Sequence, residues 1–180
     1  MDLIGQATAG TALGDRIMKV NHAGEHGAIC IYRGQLLLAP LTAPSLVAEL
    51  KEFRSHEERH RSLFSAELAR RSRHRCRSYW FCGLGGFVLG FVTGLLGRNA
   101  IAATTVAIES VVLRHLEDQL TLLGDTDPAA VAAICAIVSE EREHHDRSAS
   151  HGSAAGFWST LLTPIVSTAT ETVIWLGMRL

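Results

Sequence analysis

A pattern of carboxylates and imidazoles occurs twice in this chain and restricts the folds open to it. Each copy is a Glu followed, 32 residues later, by the start of a Glu-x-x-His motif. Because residues three apart lie on the same side of an α-helix, each motif directs a carboxylate and an imidazole toward one point. The first copy comprises Glu25, Glu57 and His60, and the second comprises Glu109, Glu141 and His144.

Apolar residues around these motifs recur with the period of an α-helix. Leu50, Phe53, Glu57, His60 and Phe64 follow one another at steps of three or four, so two polar residues interrupt an apolar face. Only 4 of the 180 residues are Pro, which leaves room for long helices. The sequence therefore predicts an all-α protein of about six helices with polar groups inside it.

Capping residues and helix breakers set the expected boundaries of the helices. We expect residues 1–14 to form a short N-terminal extension and Asp15 to cap a first helix, which Pro40 ends. We expect the third helix of the bundle to end at Gly124, and Asp127 to cap the fourth, with Pro128 at its first position. The four helices cover about residues 16–39, 46 to the early seventies, 100–123 and 128–150, in one domain of two similar halves (about 15–77 and 100–150).

Two further stretches are apolar. Ser78–Gly97 is 20 residues long, carries no charge and contains six Gly, and the stretch from Gly152 to Thr170 is also uncharged. We expect apolar helices at about 78–97 and 154–178. Hydropathy alone leaves two interpretations open: helices that cross a membrane, or helices that lie in its interface.

The segment at residues 70–77, here called the basic segment, contains five Arg in eight positions. It is either a solvated helix end or a surface for anionic lipid headgroups. The whole chain has a net charge of −1, so nothing indicates a nucleic-acid partner. No Cys-x-x-Cys pair occurs among the four Cys, which we expect to be free thiols, and the N-terminus lacks the pattern of a secretory signal.

Two Glu from two helices plus Glu-x-x-His from two others form the ligand set of di-iron and di-manganese carboxylate bundles. Four carboxylates balance the charge of two divalent ions and so reduce the cost of burying them. Oxygen ligands with one imidazole per metal suit iron and leave positions open for O2. We expect Glu25 and Glu109 to be terminal ligands, Glu57 and Glu141 to bridge, and His60 and His144 to bind one iron each.

Other acidic residues and histidines lie near these positions in the sequence. Glu58, Glu140 and Glu143 compete with the assigned ligands, although they do not satisfy both the spacing and the helix face. His115 and Asp146 are candidate hydrogen-bond partners of the ligands. His145 is interpreted either as a hydrogen-bond partner of the ligands or as solvent-facing. The remaining histidines are interpreted as structural or surface residues: His22, His26, His56, His74 and His151.

From about residue 15 onward the sequence resembles the demethoxyubiquinone hydroxylases of ubiquinone biosynthesis. The matching segments include Asn21-His22-Ala23-Gly24-Glu25, Glu57-x-x-His60, Thr105-Val106-Ala107-Ile108-Glu109 and Glu140-Glu141-Arg142-Glu143-His144-His145-Asp146. Two positions depart from the family pattern, since His26 and Leu116 each replace a usual Tyr.

The resemblance implies a ferritin-like monooxygenase with two iron ions that hydroxylates the ring of a polyprenyl methoxy-benzoquinol with O2. It also implies peripheral attachment to a membrane, through apolar interfacial helices that admit the prenyl tail. The location implied is the cytoplasmic face of a bacterial inner membrane, or the matrix side of the mitochondrial inner membrane for a processed chain. A partner protein that presents the lipid substrate is a further expectation.

Two other interpretations use the same residues. A ferritin-like iron-handling or peroxide-reducing protein needs the same ligands and no organic substrate. In a small membrane protein without catalysis, the Glu-x-x-His motifs form ion pairs only.

Overall fold

The computed structural model describes residues 3–151 and 156–180, with side chains from residue 12 onward. These residues form six α-helices and two short 3-10 turns, with no strand among them, which confirms the predicted all-α fold. The helices are α1 (Leu3–Thr42), α2 (Val47–Arg70), α3 (Tyr79–Leu96), α4 (Arg98–Leu123), α5 (Pro128–His151) and α6 (Phe157–Gly177).

Helices α1, α2, α4 and α5 form a four-helix bundle built from two hairpins. The 3-10 turns Pro44–Leu46 and Gly124–Thr126 close the hairpins, and α3 connects the first hairpin to the second. Connections this short make the two helices of each hairpin antiparallel neighbours.

Two apolar layers fill the bundle at different heights. One layer includes Ile17, Phe64, Leu116 and Ile134, and the other includes Tyr32, Leu50, Phe53 and Ile101. On α1, α2 and α4 the residues of the repeated Glu pattern fall between these layers. The polar groups therefore lie within the bundle, between two apolar layers that separate them from its ends.

The predicted start of the first helix was wrong. Helix α1 begins at Leu3, and Asp15 lies inside it, buried, where its carboxylate accepts a hydrogen bond from Arg73 Nε at 2.6 Å. Asp15 therefore stabilises a contact with the basic segment rather than a helix end. Asp127 behaves as predicted, because its Oδ1 accepts a hydrogen bond from the Ala130 N–H at 3.1 Å and caps α5.

Pro40 does not end α1 either, since the helix continues to Thr42. A proline in the last turn of a helix removes only one backbone donor, so the remaining hydrogen bonds hold that turn together. The Thr42 hydroxyl is 3.1 Å from the Leu38 carbonyl and 2.6 Å from the Gly94 carbonyl, which ties the end of α1 to α3.

A row of glycines brings α3 very close to α1. Gly83, Gly86, Gly90 and Gly94 are all buried on one face of α3. A Cβ at Gly90 would overlap the carbonyl oxygen of Ile31, and a Cβ at Gly86 would overlap that of Gly27. Only glycine permits this separation of the two helix backbones.

The other face of α3 is apolar and exposed, as is most of α6. The exposed residues on α3 include Trp80, Phe81, Leu84, Val88 and Leu95, and those on α6 include Phe157, Ile165 and Trp175. In the part of the chain that the structure describes, α3 is the one helix long and apolar enough to cross a membrane by length and composition.

The glycine contact gives a test of the fold. We expect Gly90→Ala to destabilise the protein by about 1–3 kcal/mol, because the new methyl group forces α1 and α3 apart. Gly85 is the matched control: it lies on the same helix, and nothing is within 4 Å of a Cβ placed there. Gly85→Ala should leave stability unchanged or raise it by up to about 1 kcal/mol. Thermal unfolding measures both, and equal melting temperatures for the two variants would contradict the close packing.

Candidate metal centre

The six residues of the repeated pattern come together inside the bundle, and we call them the carboxylate–histidine cluster. Each bundle helix supplies part of it: α1 Glu25, α2 Glu57 and His60, α4 Glu109, and α5 Glu141 and His144. All six side chains are buried.

Ligand atoms of the cluster form two overlapping groups. In one group, atoms of Glu25, Glu57, His60 and Glu141 lie within 4.8 Å of one another. In the other, atoms of Glu57, Glu109, Glu141 and His144 do so. Glu57 and Glu141 belong to both groups, so two ions at these positions would share both carboxylates.

Both histidines direct Nδ1 into the cluster. The His60 Nδ1 is 2.9 Å from Glu141 Oε1 and 3.7 Å from Glu25 Oε2, and the His144 Nδ1 is 3.2 Å from Glu57 Oε1. Despite these short distances, neither Nδ1 is aligned for a hydrogen bond with any described residue, and neither is Glu57 Oε1. Buried nitrogen and oxygen atoms without partners carry a large desolvation cost, which a bound cation removes. The donor set therefore fits two metal ions.

The outer nitrogen of each histidine is held by a residue from the opposite hairpin. The Nε2 of His60 is 2.7 Å from Glu140 Oε2, and the Nε2 of His144 is 3.0 Å from His56 Nδ1. An ionised carboxylate can only accept a hydrogen bond, so the His60 Nε2–H donates to Glu140, and Nδ1 is the nitrogen that can bind a metal once its own proton is lost. These contacts orient both rings for metal binding through Nδ1.

Burial and mutual repulsion change the protonation of the cluster when no cation is bound. Burial, followed by the charge of Glu57, raises the pKa of Glu25 well above its usual value. Burial, followed by the charges of Glu141 and Glu57, does the same to the pKa of Glu109. Burial alone would lower the pKa of His144, but the carboxylates of Glu141 and Glu57 outweigh it and raise that pKa to about 9. Metal binding at this site must therefore displace protons.

Other predicted partners lie outside the cluster. His115 Nε2 is 2.7 Å from Glu171 Oε2 on α6, and the exposed Asp146 contacts its neighbour His145 at 2.9 Å. Among the described residues, neither His115 nor Asp146 hydrogen bonds to a member of the cluster. The rival acids Glu58 and Glu143 pair with arginines near the surface.

Glu140 and His56 are the site residues whose role the sequence did not reveal. Glu140 was weighed as a competing ligand, and His56 was assigned to structural or surface positions. Each immediately precedes the Glu of a Glu-x-x-His motif, and each contacts the histidine of the other motif. That shared position was the available signal. The contacts that Glu140 and His56 make across α2 and α5 depend on how these two helices face each other, which the sequence does not specify.

Comparison with known proteins agrees with the geometry. A family model described as "Ubiquinone biosynthesis protein COQ7" matches residues 12–177. The 3-demethoxyubiquinol 3-hydroxylase of Rhodospirillum rubrum is 33% identical over 168 residues, which cover 93% of this chain and 79% of that protein. The chain belongs to the COQ7 family.

Eukaryotic COQ7 relatives match over a similar length. The NADPH-dependent 3-demethoxyubiquinone 3-hydroxylase, mitochondrial, of Mus musculus is 33% identical over 172 residues, covering 92% of this chain and 77% of its own. The 5-demethoxyubiquinone hydroxylase, mitochondrial, of Saccharomyces cerevisiae is 30% identical over 183 residues, covering 92% and 78%. The resemblance stated from the sequence is confirmed.

His26 and Leu116, where the resemblance implies a Tyr, lie beside the cluster rather than in it. The His26 ring stacks on Tyr79 of α3, with centroids 4.0 Å apart and planes 3° from parallel. Leu116 is buried in the apolar layer with Ile17 and Phe64. His26 therefore contributes to the contact between α1 and α3, and Leu116 contributes to the core.

Mutual repulsion in the cluster predicts opposite effects of one substitution on stability and on metal binding. At pH 7 the metal-free protein must protonate Glu109 or bury its charge, and this cost disappears as the pH falls below its usual pKa of 4.5. We expect Glu109→Gln to raise the melting temperature of the metal-free protein at pH 7 by about 2–4 °C for each kcal/mol gained. The gain should shrink toward pH 4.

The same substitution should weaken Fe(II) binding, measured by titration of the metal-free protein. Glu117→Gln is the control, because Glu117 is an exposed carboxylate of the same helix, paired with Arg142. We expect Glu117→Gln to change neither the melting temperature of the metal-free protein nor its affinity for Fe(II). A Glu109→Gln protein with a lower melting temperature and unchanged iron affinity would contradict the assignment.

Proposed function

We propose that this chain is a monooxygenase with two iron ions that hydroxylates the ring of a polyprenyl methoxy-benzoquinol with O2, in ubiquinone biosynthesis. The observation that carries the proposal is the pair of overlapping ligand groups that share Glu57 and Glu141. The names of the relatives, which are hydroxylases of demethoxyubiquinol or demethoxyubiquinone, support the substrate.

The roles proposed for the cluster follow the two groups. Glu25 and His60 would hold one iron, Glu109 and His144 would hold the other, and Glu57 and Glu141 would be available to both. The iron ions supply the activation of O2, which amino-acid side chains cannot perform. Four carboxylates and two neutral imidazoles balance the charge of two Fe(II), so the loaded centre is neutral within an apolar bundle.

The protein positions the reacting groups and controls protons. Glu140 holds the Nε2 proton of His60, and Phe53 packs against the His144 ring with centroids 4.2 Å apart. Arg147 covers the outer side of Phe53, 4.8 Å from its ring centre. These layers fix the histidines and keep bulk water from the site on the side of α2 and α5.

The reaction requires a two-electron donor in addition to O2. The ring C–H bond is converted to C–OH with one oxygen atom, and the second oxygen leaves as water after taking up two electrons and two protons. The mouse relative is named as NADPH-dependent, so NADPH is the reductant to supply first in an assay.

Isotope labelling and two variants test the proposed function. With 18O2, NADPH and a short-chain demethoxyubiquinol analogue, we expect one 18O atom in the ring hydroxyl and about two iron ions per chain. Glu141→Ala should lose iron and turnover, because it removes a ligand common to both ions. Glu143→Ala should retain both, since Glu143 is an exposed carboxylate two residues further along the same helix.

Other outcomes identify the alternatives. A protein that binds two iron ions and consumes peroxide, but transfers no 18O to the ring, is an iron-handling or peroxide-reducing protein. A protein that binds no iron is the non-catalytic membrane protein. Either result would overturn the proposal.

We further propose that α3 and α6 attach the chain to a membrane surface and admit the prenyl tail of the substrate. Trp80 and Phe81 of α3 are 64% and 78% exposed, and aromatic residues favour the membrane interface. Tyr79 of α3 contacts His26, and Gly177 of α6 contacts Val20, so both helices meet the same two turns of α1. The exposed apolar surface also suits a partner protein that presents the lipid.

The packing of α3 favours a position on the membrane over a span across it. Its glycine face is buried against α1 along its length, and α1 carries Glu25 and the exposed Arg33. A helix that crossed the bilayer in this contact would draw these charges into the hydrocarbon, at several kcal/mol each. The proposed location is the cytoplasmic face of a bacterial inner membrane, or the matrix side of a mitochondrial one.

Membrane attachment has its own test. Sodium carbonate at high pH should release the protein from membranes, and resistance to release would indicate a spanning helix. Leu84→Glu should weaken sedimentation with phospholipid vesicles by about 10-fold or more, since it exchanges an apolar contact for a charge. Leu122→Glu is the control, because Leu122 is similarly exposed (63% against 66% for Leu84) but belongs to α4 rather than to either apolar helix. Equal losses for both variants would argue against a specific membrane face.

A further inference from the structure

A polar pocket lies next to the first turn of α3, outside the carboxylate–histidine cluster. Its volume is about 680 Å³, and it opens between α1, α2 and the basic segment. Its charged, polar and aromatic lining includes His22, Arg61, Arg73, His74, Arg75 and Tyr79. Among the residues that the structure describes, no acidic side chain lines this pocket.

Three of the five arginines of the basic segment form ion pairs with carboxylates. Of the three arginines that line the pocket, Arg73 has such a partner, whereas the other two have none among the described residues. Arg71 pairs with Asp127 at 2.6 Å, and Arg73 pairs with Asp15 at the same distance. In the part of the chain that the structure describes, no carboxylate pairs with Arg61 or Arg75. The Arg75 guanidinium instead lies over the rings of Tyr79 and Trp80, at 5.0 and 4.9 Å from their centres.

His22 adds a buried polar atom without a partner. It is 8% exposed, it lines the pocket, and its Nδ1 has no hydrogen-bond partner among the described residues. Burial, followed by the positive charge of Arg61, lowers its pKa to about 4. The imidazole is therefore neutral at pH 7, in surroundings of positive charge.

We propose that this pocket binds a phosphate group, held by Arg61 and Arg75. Arginine suits phosphate because its planar N–H groups match the phosphate oxygens, and a dianion or monoanion balances the two free charges. The bound phosphate lies beside His22, one helical turn before Glu25, and so close to the carboxylate–histidine cluster. Phosphate binding itself requires neither iron nor the hydroxylase reaction.

Two sources of phosphate are consistent with the position of the pocket. One is the headgroup of an anionic phospholipid, because the pocket lies at the end of α3 where Trp80 is exposed. The other is a soluble phosphate compound such as a phosphorylated nicotinamide dinucleotide. The experiment distinguishes them by offering each probe separately.

The test compares two double variants that remove the same charge. Arg61→Gln with Arg75→Gln removes the two unpaired arginines, whereas Arg70→Gln with Arg77→Gln removes two arginines outside the pocket lining. Binding is measured to phosphatidylcholine vesicles with and without phosphatidylglycerol, to NADPH and to inorganic phosphate. The fluorescence of Trp80, beside Arg75, reports the soluble probes.

We expect the pocket variant to lose at least about 10-fold in affinity for one class of probe, since each charge-assisted hydrogen bond contributes substantially. A loss confined to anionic vesicles identifies a lipid headgroup, and a loss for NADPH or phosphate identifies a soluble ligand. Equal losses in both double variants, or no binding of any probe, would overturn the proposal.

Two further measurements keep this result separate from the proposed function. Iron content should be unchanged in all variants, since none of the four arginines belongs to the cluster. Arg61 follows His60 directly, so Arg75→Gln alone is also measured. A loss of phosphate binding in Arg75→Gln with full iron content supports the pocket whether or not the chain hydroxylates a quinol.

Discussion

The repulsion among four buried carboxylates is the constraint on which the rest of this structure depends. An isolated ionised carboxylate in an apolar bundle is very costly, and this bundle encloses four carboxyl groups around two histidines. Burial and repulsion raise the pKa of Glu25 and Glu109, so these two carboxyl groups favour the neutral form when no cation is bound. The apolar layers on either side must therefore hold the helices together against that cost. Bound cations of matching charge would change the balance, because they would convert the same groups from a source of instability into a cross-link between four helices. The residues that would bind metal therefore lower the stability of the metal-free protein, and the same residues would raise the stability of the metal-bound protein.

The sequence predicts the six cluster residues because their geometry is local. A spacing of three places Glu57 beside His60 and Glu141 beside His144 on any α-helix, and the apolar residues around them show that these faces point inward. The equal 32-residue steps then relate the two halves. Glu140 and His56 could not be assigned in this way. Each contacts the other hairpin's histidine, so its role depends on the rotation of α2 against α5, which no periodicity within one helix specifies.

Errors at the helix ends have a common physical origin. Asp15 and Pro40 are strong local signals for a start and a stop, and in both cases a tertiary contact outweighs the local preference. Asp15 pairs with the basic segment, and Thr42 bonds to the Gly94 carbonyl beyond the proline. At Asp127 the local and tertiary preferences agree: the same carboxylate caps α5 and pairs with Arg71, and here the prediction was confirmed.

The glycine row of α3 shows why hydropathy alone left its role open. An uncharged helix of this length satisfies the criterion for a membrane span, and the criterion does not count what the helix packs against. Four buried glycines bring its backbone against α1, which carries Glu25 at its centre. The helix that offers an apolar surface to lipid is therefore in contact with the helix that supplies a carboxylate to the cluster. In the proposed membrane-bound arrangement, a long-tailed substrate would reach the buried ionic site at this contact without the charged bundle entering the hydrocarbon.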